Sequence, residues 1–206
     1  MGNHSRAYRV SMQALFLALI AVQTMVPMLG YLPLGFVNLT IIHITVIIGA
    51  IMFGPGEGLL IGTVWGALTI VRAYTAPTSP LDTLVFTNPL VSVVPRMLVG
   101  VFAALAFWGA YKVVKKVAVA SVIAGAVGSL TNTVLVLLAM GTLYTGPVAS
   151  AYKVSTGALG KVLGAIVVTN GLPEMIGAMV LTPLVIGALV AATHMRPWRT
   201  AAPTPK

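Results

Sequence analysis

The feature that most constrains this chain is a succession of apolar runs separated by short polar or proline-glycine breaks. They fall at about residues 10–30, 38–53, 57–73, 89–111, 117–140 and 172–193. A transmembrane helix takes roughly 20 residues, so most of these runs are long enough to cross a bilayer. Gly54-Pro55-Gly56 is a tight-turn signal between the second and third runs. Tyr74 to Asn88 is a polar, proline-containing loop, and Lys112, Lys115 and Lys116 form a basic turn. Only 7% of the 206 residues are charged, against 58% hydrophobic. A soluble domain carries about 25% charged residues, so a cytosolic enzyme is excluded, and so is a disordered chain. The sequence predicts an all-α polytopic membrane protein. It has one domain of six transmembrane helices over residues 1–196 and a basic, proline-rich tail at 197–206, expected to be disordered. The positive flank before the first run is signal-like, but the run is too long and lacks a cleavage site, so it reads as a retained helix. Residues 141–161 read as a long loop with room for a short re-entrant helix, and the sixth run could begin near Val162.

The net charge of +9 would point a soluble protein toward nucleic acid. In a membrane chain it reports topology, and no nucleic-acid partner is expected. Six spans put both termini on one side, together with the three lysines of the basic turn. Arg6, Arg9, Lys112, Lys115, Lys116, Arg196, Arg199 and Lys206 make 8 of the 12 cations there. The positive-inside rule then places both termini in the cytoplasm of a multi-pass cell-membrane protein, with loops 31–37, 74–88 and 141–161 outside.

Polar side chains within a bilayer are costly and mark function by default. On this topology they gather in the outer half: Gln23, Thr24, Asn38, Thr40, His43, Arg72, Arg96, Asn132, Asn170 and Glu174. The inner half is nearly bare. A channel would need polar lining through its whole depth, and a secondary transporter more often carries ionisable groups on repeated broken helices at the midplane. The pattern is that of a capture protein with an outward polar pocket over an apolar plug. Each residue also has a plainer reading. Arg72 snorkels at the interface, Glu174 pairs with Arg96, Asn132 bonds a neighbouring helix, and His43 is a packed core residue. Arg96 resists the plain reading, because it sits about 10 Å below the end of its helix.

Catalytic and metal chemistry is missing. There is no cysteine, and the other histidines, His4 and His194, lie at the chain ends, so no metal site or cofactor is expected. The three acids, Glu57, Asp82 and Glu174, fall on separate elements. Gly157-Ala-Leu-Gly160-Lys161 lacks both the first glycine and the closing Ser/Thr of a phosphate loop. The chain is therefore not an enzyme, and energy for active uptake would come from partner proteins. Ala14-x-x-x-Ala18 gives the first helix a flat, small-residue face on which such a partner could pack.

Together these features resemble the substrate-binding S components of energy-coupling factor (ECF) vitamin transporters. Asn38-Leu-Thr-Ile-Ile-His43, Thr75-Ala-Pro-Thr-Ser-Pro-Leu-Asp82, Asn88-Pro, Pro95-Arg96, Leu130-Thr-Asn132-Thr and Asn170-Gly-Leu-Pro-Glu174 look like the pantothenate-specific branch. The resemblance implies capture of pantothenate from outside and delivery through a transmembrane coupling subunit and two ATPase subunits. It also implies toppling of the protein in the bilayer, and contact of Ala14 and Ala18 with the coupling subunit. Arg96 would pair the vitamin's carboxylate. Asn132, Asn88, His43, Asn170 and Asn38 would supply further polar partners, with Glu174 and Arg72 beside them. Loops 31–37 and 74–88 would act as lids. A stand-alone carrier, or capture of another small vitamin such as biotin, remains the alternative.

Overall fold

The computed structural model describes residues 6–34 and 37–200. The chain opens with α1 (Arg6–Met25) and the single turn α2 (Pro27–Gly30). A short antiparallel hairpin follows, β1 (Tyr31–Leu34) and β2 (Val37–Thr40), with Tyr31 opposite Thr40 and Leu34 opposite Val37. Next come α3 (Ile42–Phe53), α4 (Pro55–Thr75), α5 (Pro80–Leu84), α6 (Pro89–Ser92) and α7 (Val94–Val114). The chain ends with α8 (Val117–Leu143), α9 (Thr145–Ala151), α10 (Leu159–Ile166) and α11 (Leu172–Thr193). A 3-10 turn, Thr156–Ala158, leads into α10, and a π turn, Val167–Gly171, joins α10 to α11.

Hairpin apart, the described residues form an all-helical membrane protein. Four helical segments are long and apolar enough to cross a bilayer: Pro55–Thr75, Pro89–Val114, Val117–Leu143 and Thr156–Thr193. Val10–Met25 and Ile42–Phe53 are shorter apolar helices.

Packing reads inside out relative to a soluble protein. Along α8 the buried face carries Ala120, Ser121, Ala124, Gly125, Gly128 and Ser129, while Ile123, Leu130, Val134 and Leu138 are exposed. Lipid is as apolar as leucine, so large side chains gain nothing by turning inward, and small ones let helix backbones approach closely. By contrast, every residue of α3 is buried, as expected of a helix that is hydrophobic all round. It is the central post, packed against α1, α4, α7, α8 and α11. The third run's glycines serve internal packing: Gly58 lies against Gly100, Gly62 against Arg96 and Gly66 against Ser92, seating α4 on α7 and α6.

Four stretches differ from the sequence reading. The second run is helical only from Ile42, because residues 37–40 pair with 31–34. The segment 141–161 holds α9 and the start of α10, and the last apolar helical stretch extends back to Thr156. The fourth run is divided at Val93 into α6 and α7. Residues 194–200 are folded back on the bundle, the Trp198 N–H donating to the Ile51 carbonyl at 2.9 Å; the rest of the expected tail, residues 201–206, lies outside the described residues. Trp198 also covers Gly54, whose φ of 105° makes the α3–α4 turn.

Candidate functional site

Arg96 owes its pose to the residue before it. In a helix the N–H of residue 95 would bond the carbonyl of residue 91, but proline has no N–H. The Val91 carbonyl is thereby freed, and the Arg96 Nη1 donates to it at 2.7 Å. The guanidinium lies 5.1 Å from the Trp65 ring centroid and 5.6 Å from that of Phe86. Arg96 is only 7% exposed and, among the described residues, makes no ion pair and leaves its Nε without a partner. A guanidinium offers five N–H donors, so a buried donor edge remains unused. The expected direct pairing with Glu174 is not made. The Glu174 carboxylate instead accepts from the Thr40 N–H at 2.6 Å, stapling the end of β2 to α11.

The helix register brings further unpartnered polar groups toward the same level. Ile47 on α3 packs against Gly128 on α8, its Cδ1 2.6 Å from where a Gly128 Cβ would stand. One turn nearer the hairpin, about 6 Å along each helix, stand His43 and Asn132. His43 is fully buried, and neither ring nitrogen makes a well-formed hydrogen bond, although the Thr40 backbone lies close by. Asn132 is buried with its Oδ1 unpartnered, as are the Ser129 hydroxyl one turn below it and the Trp65 Nε1. A buried polar atom left unsatisfied costs about 1–3 kcal/mol. A cluster of them drawn from α3, α4, α7 and α8 is poor architecture for a structural core and suits a polar ligand.

A second layer closes over this one at the hairpin end. Arg72, 8% exposed, lies 4.4 Å from the Tyr31 ring centroid and pairs with Asp82 at 3.7 Å. Asp82 in turn accepts from the Thr78 N–H and hydroxyl at 2.6 and 2.9 Å and from the Ser79 N–H at 3.1 Å, fixing the first turn of α5. One arginine therefore holds the hairpin and α5 together. Tyr31 lies within electrostatic reach of Arg72, Arg96, Asp82 and Glu174; burial pushes its phenol above the ordinary value, with Arg72 pulling the other way.

Asn88 is engaged within the protein. Its Oδ1 accepts from the Leu90 N–H at 2.8 Å, capping α6, and its Nδ2 donates to the Tyr144 hydroxyl at 2.8 Å. Asn170 sits in the π turn, accepting from the Thr169 hydroxyl at 2.9 Å. The side chain of Asn38 lies outside the described ones. Ala14 and Ala18 are exposed on α1. Sequence reasoning missed Tyr31 and Phe86 altogether and took Trp65 for packing. It placed Asp82 in a loop without seeing its partner. The serine three residues before Asp82, a helix-capping spacing, was the available signal.

Two grooves lie away from this cluster. One of about 300 Å³ runs between α1, α3 and α11, with Gln23 and Thr45, bonded to each other at 2.9 Å, at its rim. The other, of about 440 Å³, lies at the opposite end between α8, α11 and the folded-back segment.

The family described as "ECF transporter, substrate-specific component" matches residues 9–186. The "Pantothenic acid transporter PanT" of Lactococcus lactis is 34% identical over 204 residues, covering 92% of this chain and 97% of the relative. The "Pantothenate transporter PanT" of Leuconostoc mesenteroides is 41% identical over 111 residues, 52% of this chain. That alignment spans about half of the relative, 53% of its length.

Proposed function

This chain belongs to the substrate-specific components of ECF transporters, a family of multi-pass membrane transport proteins and not of enzymes, and on that premise we propose that it captures pantothenate at the hairpin end of its helix bundle. The observation that carries this reading is the buried Arg96 guanidinium, clamped by the Val91 carbonyl and in no ion pair among the described residues. Pantothenate brings a carboxylate to that donor edge by charge-assisted hydrogen bonds. Its amide and hydroxyls meet the unpartnered groups of His43 and Asn132. Asn170 and Asn38 contribute from the rim. Arg72, Asp82 and Tyr31 form the clasp of the lid, Asn88 caps the helix beneath it, and Glu174 fixes the hairpin.

All six apolar helices cross the bilayer in this reading, with both termini in the cytoplasm and the hairpin outside. The twelve residues of α3 cover only about 18 Å, and its neighbours bury it on every side, so it does not span the hydrocarbon alone. The names of the relatives support the vitamin. The exposed Ala14 and Ala18 receive the coupling subunit of a module driven by two ATPase subunits. Leucine at both positions should leave vitamin binding intact and abolish ATP-driven uptake in vesicles.

The site is tested by calorimetry on the purified chain with pantothenate, and with biotin as control. Removing two charge-assisted hydrogen bonds of about 1.5–3 kcal/mol each should weaken binding by roughly 10²–10⁴-fold in Arg96→Ala. Tight pantothenate binding that survives this change would refute the anion site. Binding of biotin alone would move the substrate and keep the family.

A further inference from the structure

The end of the bundle opposite the hairpin carries a second organised cluster that vitamin capture does not use. Lys112, Lys115, Lys116, Arg196 and Arg199 are all exposed there, none is ion-paired, and Glu57 is the only described acid at that end. Several of these cations are pre-positioned on aromatic faces. The Lys112 Nζ stands 3.6 Å from the Trp108 ring centroid, and Arg199 lies 4.6 Å from those of both Trp108 and Trp198. An arginine resting on a ring by its face keeps its in-plane N–H donors available. Tryptophan and tyrosine at such a place mark the headgroup level of a membrane.

Beside this patch runs the groove of about 440 Å³. Its lining joins the polar groups of Arg196, Thr200 and Tyr111 to the apolar surface of Pro183, Gly187 and Val190 of α11. A Cβ added at Gly187 would meet nothing within 4 Å, so the wall there is open. A cation joined to an apolar trough is complementary to an amphiphile with an anionic head and a hydrocarbon tail.

We propose that this groove is a binding site for an anionic phospholipid, with the phosphate at Arg196, the flanking cations around it and an acyl chain along Pro183, Gly187 and Val190. Basic pockets between transmembrane helices are suited to anionic headgroups, each Lys or Arg near the surface adding about a fivefold preference. Two independent features, charge and trough, select the same ligand. The site is independent of the vitamin, and the proposed orientation only names the leaflet as cytoplasmic.

The test uses the full chain purified in a neutral detergent, titrated with short-chain phosphatidylglycerol, short-chain phosphatidylcholine or inorganic phosphate, with lipid retention counted by native mass spectrometry. Phosphatidylglycerol should bind saturably and at least about tenfold more tightly than phosphatidylcholine, and more weakly as salt rises. Arg196→Gln, at an exposed position, should cost about fivefold for phosphatidylglycerol. Gly187→Leu, which fills open space without disturbing a packed neighbour, should block retention of both lipids while the melting temperature holds. Equal binding of the two lipids, or wild-type retention in both variants, would overturn the proposal. So would displacement of the lipid by inorganic phosphate alone, since the site would then serve a soluble anion.

Discussion

Gly62→Ala tests whether the contact between α4 and α7 sets the position of the anion site. A Cβ at Gly62 would stand 2.6 Å from the Arg96 carbonyl carbon and 3.0 Å from the Met97 Cα, and closer still to the Arg96 carbonyl oxygen. Carbon atoms prefer separations of about 3.5–4.0 Å, so α7 must retreat by roughly 1 Å. These obstacles are backbone atoms, so no side-chain rotation relieves them. Such overpacking costs about 1–3 kcal/mol of stability. A hydrogen bond stretched by about 1 Å is no longer one. The loss of one charge-assisted bond, about 1.5–3 kcal/mol, therefore predicts roughly 10–150-fold weaker pantothenate binding. Gly109→Ala on the same helix is the matched control: nothing lies within 4 Å of its added Cβ, and alanine should stabilise that helix by about 0.5–1 kcal/mol. The assay is calorimetric affinity together with thermal unfolding in detergent for both variants. Wild-type affinity in Gly62→Ala, or equal behaviour of the two variants, would refute the reasoning.

Two further outcomes follow from residues near and far from the site. Asn88→Ala removes a helix cap worth about 1 kcal/mol and the bond to Tyr144; hydrogen exchange should quicken across residues 86–93 while pantothenate affinity changes less than about threefold, since a lost ligand contact would cost more. A large loss of affinity would instead make Asn88 a ligand. Gly54→Ala forces a side chain into a φ of 105° beneath Trp198, so the melting temperature should fall by the equivalent of more than 1 kcal/mol; Trp198→Ala should relieve the crowding but not the dihedral strain, and full rescue would contradict the positive-φ explanation.

How much of this was legible in the sequence depends on the range of the interaction concerned. The apolar runs, the burial of Arg96 and the glycine contacts of α4 follow from local composition and helical spacing; the structure has four segments long and apolar enough to cross a bilayer and two shorter apolar helices, with Arg96 buried. The hairpin escaped because Pro33 and Gly35 mark a loop. Yet Val37-Asn-Leu-Thr40 alternates apolar and polar residues with the period of a strand, which was a usable signal. Residues 141–161 read as a loop because Gly, Pro, Ser and Thr are poor helix formers on average, whereas here packing against α8 sustains helix. The clasp of Arg72, Asp82 and Tyr31 and the fold-back of Trp198 onto Ile51 join residues distant in sequence. No local pattern encodes such pairings. Pro95 and Arg96 stand side by side in the sequence, but the reason for their adjacency, a freed carbonyl taken up by the next side chain, lies in the fold.

The threonines of the long helices bear on biogenesis. Thr24, Thr63, Thr69, Thr131, Thr142 and Thr193 each donate their hydroxyl to the carbonyl four residues earlier. Their polar groups are thus satisfied within a single helix, before any neighbour arrives. Each segment can leave the translocon and rest in lipid alone, in keeping with a two-stage assembly in which insertion precedes helix association. Among the groups that become buried only on assembly are those of Arg72, Arg96, His43 and Asn132. For a nascent chain of this kind the vulnerable interval lies between the insertion of the helices and their closing around those four side chains. Quality-control proteases of the membrane would meet Arg72 and Arg96 exposed only in that interval.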